Sequence, residues 1–357
     1  MRNALAFGLS ALLSLGAFAC ASPKGDEPPA SDAPADEQNE EEVTSGVTKF
    51  ASKLQDPDSL TSLGDSIYFS TTYGFATQEY AEYEHDIWVK TGSGRAKRLY
   101  KGLRGATWAM QATKNGLYEI NEAYASVMRY PLDGSKPDGE SLYHAIYGHE
   151  EQPEVGIRAL VADDDGVVLG LRADDDDAKP GNVVALTPAG KNEKKLGAVA
   201  GGATALALAN GKVYVGTRAG KVYAAPRDGS GALSEIAKGE GAVASIVIVG
   251  DDVFFGTDQA LFAKRKGIAA PQKLVAERAG SLAVVNDRLY FGQYQKGVSS
   301  IPLAGGDVKL ALKTGAPSST LFANGFVWVT DKSYGRCHQT DEGQACAFDG
   351  SAFRLKL

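Results

Sequence analysis

From residue 47 onward the chain alternates apolar and polar positions on a short period, and one version of the alternation keeps returning. A turn residue, often Gly, Asn or Asp, precedes four residues that read apolar, aromatic or aliphatic, apolar, small. The instances are Ile67-Tyr68-Phe69-Ser70, Leu117-Tyr118-Glu119-Ile120, Val167-Val168-Leu169-Gly170, Val213-Tyr214-Val215-Gly216, Val253-Phe254-Phe255-Gly256, Leu289-Tyr290-Phe291-Gly292 and Val327-Trp328-Val329-Thr330. Short β-branched and aromatic runs bounded by turn residues predict strands. An apolar run precedes the motif, as in Ala203–Ala209 and Ser245–Val249. Another follows it and ends in a Gly turn, as in Val127–Gly134, Lys221–Gly229 and Ser299–Gly305. Pro within these runs belongs late in a strand or at an edge. A short fourth run completes the unit, as in Arg98–Tyr100, Lys273–Val275 and Lys309–Ala311. No stretch of the body carries a helical period.

The second motif position falls at residues 68, 118, 168, 214, 254, 290 and 328, so the spacings are 50, 50, 46, 40, 36 and 38. Self-similarity at this period is the mark of propeller blades. Residues 47–357 are therefore predicted to form an all-β, seven-bladed β-propeller of four-stranded antiparallel blades. Two segments can close the ring as the outer strand of blade seven: Ala352–Leu357, or Phe50–Leu54, whose Lys53-Leu54 aligns with Lys273-Leu274. One closes it and the other adds an edge strand.

The first 46 residues break the pattern. Arg2 precedes an apolar run from Ala4 to Ala19 interrupted only by small residues. A charged start, a short apolar stretch and small residues at its end read as a secretory signal over residues 1–19, too short to make a membrane-spanning helix. Residues 21–46 are dominated by Pro, Ala, Ser and acids and contain no aromatic residue. Such a segment cannot bury enough apolar surface to fold, so residues 20–46 are expected to be a disordered tether. Its root-mean-square span is roughly 28 Å.

Charge and composition narrow the function. The net charge is −7, but the tether alone holds eight acids and one base, which leaves the body near neutral. Without a basic surface no nucleic-acid partner is expected. Gly at 42 of 357 residues exceeds the usual ~7% and fits a turn-rich β-protein. No nucleophile elbow, phosphate loop or metalloprotease motif is present, so no catalytic residue is assigned.

GKVYVGTRAGKVYAAPRDGSG, residues 211–231, resembles the blade repeat of PQQ-type propellers and of BamB-like outer-membrane-assembly lipoproteins. GFVWVTD, residues 325–331, resembles a YWTD-type blade, and the PLDG and PLAGG turns are similar to repeats of secreted bacterial propeller lipoproteins. The resemblance covers residues 47–357 and implies a binding or scaffold module of the cell envelope. The residues that hold PQQ are not evident, so no cofactor is expected. The BamB-like family has eight blades, whereas seven repeats occur here. Ala17-Phe18-Ala19-Cys20 resembles a bacterial lipobox, departing from it at Ala17 and Phe18. That resemblance implies diacylation of Cys20 and, with Ala21 in place of Asp, an outer-membrane anchor facing the periplasm or the cell surface. Cys337 and Cys346 then remain in an oxidising compartment, flanking the polar turn HQTDEGQA between strands of blade seven. A disulfide between them is expected.

In a propeller the loop between second and third strands shares a face with the blade-to-blade connections. Long ones fall at 71–85 in blade one, 144–156 between blades two and three, 172–180 in blade three and 331–344 in blade seven, and all four histidines lie in them. Long loops on a rigid scaffold are where binding concentrates. The expected binding residues are Tyr80, Tyr83, His85, Trp108, His144, Tyr147, His149 and Arg158, with Trp108 and Arg158 near the starts of inner strands. The histidine spacing matches no metal motif, so the histidines are read as wet loop residues and no metal is assigned. Asp174–Asp177 is read as a solvated turn. Two functions compete: a non-catalytic module for a protein, peptide or glycan partner, which is favoured, and a propeller lyase or hydrolase with a His/carboxylate site on the same face.

Overall fold

The computed structural model describes residues 37–38, 41–44, 46–54, 56–76, 81–121, 126–144, 156–172, 179–332, 334–340, 343–348 and 350–357. They form seven antiparallel blades around a central channel. Blade one comprises Pro57–Leu63, Ser66–Ala76, Ala81–Thr91 and Ala96–Arg104, and blade two Thr107–Thr113, Gly116–Asn121, Ser126–Tyr130 and Glu140–His144. Blade three is Gly156–Asp163, Gly166–Arg172, Pro180–Leu186 and Lys194–Ala200, and blade four Ala203–Ala209, Lys212–Thr217, Lys221–Pro226 and Ser234–Lys238. Blade five is Val243–Val249, Asp252–Thr257, Leu261–Lys264 and Gln272–Val275, and blade six Leu282–Val285, Arg288–Gln293, Gly297–Pro302 and Lys309–Leu312. Within each of these blades the chain runs from the inner strand outward.

Blade seven is assembled differently. Its order from the channel outward is Pro317–Ala323, Phe326–Asp331, Gly350–Lys356 and Val47–Leu54. The C-terminal segment thus takes the third place, and the N-terminal segment closes the ring as the fourth strand. The hairpin of Tyr334–Thr340 and Gly343–Phe348 stands outside the blade as a separate two-stranded sheet, which leaves the third place to the C-terminus. Two further short strands precede the N-terminal one. Glu37–Gln38 pairs with the outer strand of blade one and Glu41–Thr44 with Val47–Leu54. The outer edge of a blade offers unpaired N–H and C=O groups, and even a polar segment gains backbone hydrogen bonds by lying along it.

The core lies between blades. Each neighbouring pair is sealed by its own apolar cluster, for example Tyr118, Ile120 and Val127 against Ile157, Leu169 and Leu171 at blades two and three. The small fourth position of the motif is explained by this packing. A Cβ on Gly216 would lie 2.4 Å from Val243 Cγ1 and one on Gly256 would lie 2.3 Å from the Ala279 carbonyl, both belonging to the following blade or the connection to it. The third motif position faces the neighbouring blade and is apolar everywhere except at Glu119, which is fully buried. Inner hairpins turn through left-handed pairs, as at Asn210-Gly211 and Asn324-Gly325, the geometry that suits the twist of two-residue hairpins.

Candidate functional site at the channel mouth

The inner strands of six blades carry a register shift near their first residue: between Pro57 and Leu60, and at 107/109, 157/159, 203/205, 243/245 and 317/319. A β-bulge frees one residue from the ladder and re-aims its side chain. The freed residues include Asp58, Trp108, Arg158, Thr204, Ala244 and Ser318. They line the mouth of the channel, a cavity of about 320 Å³. Antiparallel connectivity puts this mouth on the face from which the long connections depart.

Hydroxyls fix the bulges to neighbouring blades. Thr204 Oγ1 donates to the Val243 carbonyl at 2.7 Å, Ser318 Oγ to the Pro57 carbonyl at 2.7 Å, and Thr330 Oγ1 to the Asp58 carbonyl at 2.7 Å. The ring therefore holds its mouth in one shape. On one side the Arg158 guanidinium lies over the Trp108 ring, 4.6 Å from its centroid. Trp108 is 39% exposed, unusual for so large an apolar side chain. A cation over an indole face is attracted by the ring quadrupole, and the pair forms a flat, partly apolar platform with a positive side. At the adjoining blades seven and one, Lys332 Nζ lies 2.9 Å from Asp56 Oδ1 and 3.4 Å from Asp58 Oδ2. Lost solvation raises the Asp58 pKa most, Lys332 opposes that, and Asp56 adds to it, with a net rise.

Sequence reasoning identified Trp108 and Arg158 but missed Asp58, Thr204 and Ser318. The signal was present: each lies ten residues before a second motif position, at 68, 118, 168, 214 and 328. Of the expected loop residues, His144 is exposed at the end of the outer strand of blade two. Tyr83 is opposite Gly74 in the ladder of blade one. Cys20, Tyr80, Tyr147, His149 and Asp174–Asp177 lie outside the described residues. Cys337 and Cys346 are direct partners in the ladder of the extra hairpin.

His85 is a correction. It was expected in a wet loop, but residues 71–76 and 81–85 extend the strands of blade one and the imidazole is completely buried. Nδ1 lies 2.8 Å from the Gly105 carbonyl and Nε2 3.0 Å from Glu119 Oε1, which also accepts from Thr107 Oγ1 at 3.1 Å. A carbonyl oxygen only accepts, so Nδ1 carries a proton. A second proton must then lie between Nε2 and the carboxylate. Burial lowers the His85 pKa, but the Glu119 charge and hydrogen bond and the Gly105 carbonyl outweigh it, and the net shift is upward. Beside this pair, buried Asp86 accepts from Tyr73 Oη at 3.0 Å and from the Gly102 amide at 2.9 Å, with Arg98 Nε at 3.1 Å. The His85–Glu119 contact joins blades one and two, the Asp86 set lies within blade one, and none of these residues lines the channel mouth. Among the described residues no three His, Cys, Asp or Glu side chains are grouped to hold a metal ion.

No protein-family model and no curated protein sequence matches the chain. Solved structures do share its fold. The computationally designed Ika8 protein is 13% identical, with a TM-score of 0.54 over 86% of this chain and 98% of that one. BamB from Moraxella catarrhalis is 11% identical, with a TM-score of 0.52 over 90% of this chain and 94% of that one. At these identities the likeness is one of fold, a β-propeller resembling that of BamB.

Proposed function

We propose that this protein is a non-catalytic binding module of the envelope, anchored in the outer membrane through a lipidated Cys20, which takes a protein, peptide or glycan partner on the face around the channel mouth. The observation that carries the reading is the Trp108–Arg158 platform, held on bulges at the mouth of a rigid channel. Exposed aromatic and Arg side chains are the usual anchors of interfaces. The N-terminal strands run along the outer rim of blades seven and one, so a tether joined there leaves the mouth uncovered. A photo-crosslinking residue at position 158 should give a covalent adduct in envelope preparations, and one at position 250 on the opposite face should give none. The Trp108→Ala, Arg158→Ala double variant should bind the crosslinked partner at least ~10-fold more weakly, as expected for anchor residues, with an unchanged melting temperature. Adducts from 250 but not from 158 would sink the reading.

The cysteines complete it. The register of the extra hairpin supports a Cys337–Cys346 disulfide, which by closing a loop of about ten residues would contribute roughly 2–3 kcal/mol. Alkylation of the membrane-extracted protein under denaturing, non-reducing conditions should label no cysteine, and reduction should expose two. Labelling at Cys20 before reduction argues against the anchor, and labelling at both Cys337 and Cys346 argues against the bridge.

A further inference from the structure

Blade six breaks a rule that the other blades keep. Opposite the third motif position, on the third strand, stand Trp88, Met128, Val184, Tyr223, Phe262 and Phe353 in the other six blades. Each fills space toward the neighbouring blade. In blade six the residue is Ser299, opposite Phe291. The outer-strand partners of this position are inverted as well. They are Arg98, Ser141, Lys195, Glu235, Lys273 and Lys49 elsewhere, and Leu310 in blade six. In blades one and five the two members stack: Arg98 lies over Trp88 at 4.9 Å and Lys273 over Phe262 at 5.9 Å. Blade six has a small hydroxyl where the others carry a bulky side chain, aromatic in four of the six, and it carries an apolar side chain, 57% exposed, where a polar cover belongs.

At the small Ser299 lies a groove of about 480 Å³ between the end of blade five and the outer half of blade six. Its floor is polar and ordered. Ser299 Oγ donates to Gln293 Oε1 at 2.5 Å, and Gln293 Nε2 donates to Glu277 Oε2 at 2.7 Å, which also holds Lys296 Nζ at 2.6 Å. Its rim is Leu310 with Val308, 44% exposed. The groove runs along Lys309–Leu312, the outer edge of its sheet among the described residues.

The chain itself shows what such an edge accepts. Glu37–Gln38 and Glu41–Thr44 add to the outer edges of blades one and seven, and their registers place Glu37 opposite Lys97 and Glu41 opposite Lys49. Blade six offers the same kind of edge, with Lys309 and Lys313 exposed and in no ion pair among the described residues. We infer that the outer edge of blade six is a second docking site, for an extended acidic peptide segment of another protein that pairs with Lys309–Leu312 and seats one aromatic side chain in the groove over Ser299. Backbone pairing supplies affinity and the side-chain pocket supplies specificity in this mode. The tether of a second copy does not meet the requirement, because residues 21–46 contain no aromatic residue.

The test is to pan a phage-displayed library of random seven-residue peptides on the full-length protein. Enriched sequences should carry Phe, Tyr or Trp flanked by acids. Synthetic peptides of those sequences should bind Ser299→Phe and Leu310→Lys variants at least 10-fold more weakly than wild type. Ser299→Phe supplies the ring that blades one, four, five and seven carry, and Leu310→Lys restores the polar cover of the other blades. Leu310 is exposed, so its variant keeps the fold even if Ser299→Phe does not. The inference is overturned if no sequence is enriched over bare support, if the enriched peptides lack an aromatic residue, or if both folded variants bind them as wild type does. It is also overturned if sedimentation shows a dimer that Leu310→Lys dissolves, since a second copy would then own the edge. Neither variant touches Trp108 or Arg158, so the outcome is separate from that of the channel-mouth reading.

Discussion

Replacing Glu119 by Ala is expected to cost about 3 kcal/mol of stability, near the lower end for breaking a buried charge pair. The cost stays near that end because His85 can shed a proton and avoid being left as an isolated buried cation. What is lost is the hydrogen bond to Nε2, the partner of Thr107 Oγ1, and the volume of a fully buried side chain between blades one and two. The isosteric Glu119→Gln keeps the volume and can donate to a neutral Nε2, so it should cost only about 1 kcal/mol, the net worth of one hydrogen bond. The two variants separate packing from protonation. The folded pKa of His85 is raised, so the stability from the pair is fully present below the unfolded value of about 6.5 and disappears as pH rises through the folded value. Wild-type denaturant midpoints should therefore fall as pH is taken upward from about 6.5, and the Glu119→Gln profile should be flatter across the same range. An equal slope in both proteins would show that His85 and Glu119 share no proton.

The second large effect is expected at the ring closure. Phe50→Ala should cost about 3–5 kcal/mol, the range for truncating a buried Phe. Phe50 is completely buried in the N-terminal strand and meets Phe69 edge-on at 5.7 Å and Trp328 at 5.1 Å, so one ring joins blades seven and one. Thr48→Ala on the same strand, partly exposed, should change stability by less than ~0.5 kcal/mol. Deleting residues up to 54 should abolish cooperative thermal unfolding, because the third strand of blade seven then loses its outer partner, Val47–Leu54, and with it the Phe50 contact to blade one. A synthetic peptide spanning residues 37–54, added to the truncated protein, should restore it. A truncated protein that melts like wild type would mean that the ring closes without this strand.

Much of this architecture is legible along the chain. The motif positions at 68, 118, 168, 214, 254, 290 and 328 are each on a second strand, and where the fourth residue is glycine, at 170, 216, 256 and 292, it is the contact point with the next blade or the connection to it. Repeats announce themselves because every blade solves the same packing problem with the same residue types. The channel mouth was half legible. Trp108 and Arg158 stand out as large side chains near strand starts, whereas Asp58, Thr204 and Ser318 look like ordinary strand polar residues. Their shared offset of ten residues means something only once the bulges show that this offset points at the channel.

His85 marks the limit of local reading. A His among Tyr and Glu residues looks like a wet loop, and nothing within ten residues of it discloses Glu119, which is 34 positions away on another blade. Ring closure had the same character. Two segments of suitable pattern compete for blade seven, and the contest is settled by where the Tyr334–Phe348 hairpin leaves the sheet and by which segment meets Phe69 and Trp328. The sequence by itself determined the number of blades, the strand identity of the motifs and the face that carries the long connections, since these follow from periodicity and chain direction. Only the tertiary structure decided which polar residues are buried together, which terminus completes the last blade, and that blade six lacks the bulky side chain the others carry. Those are properties of contacts between blades, and such contacts join residues that no local pattern links.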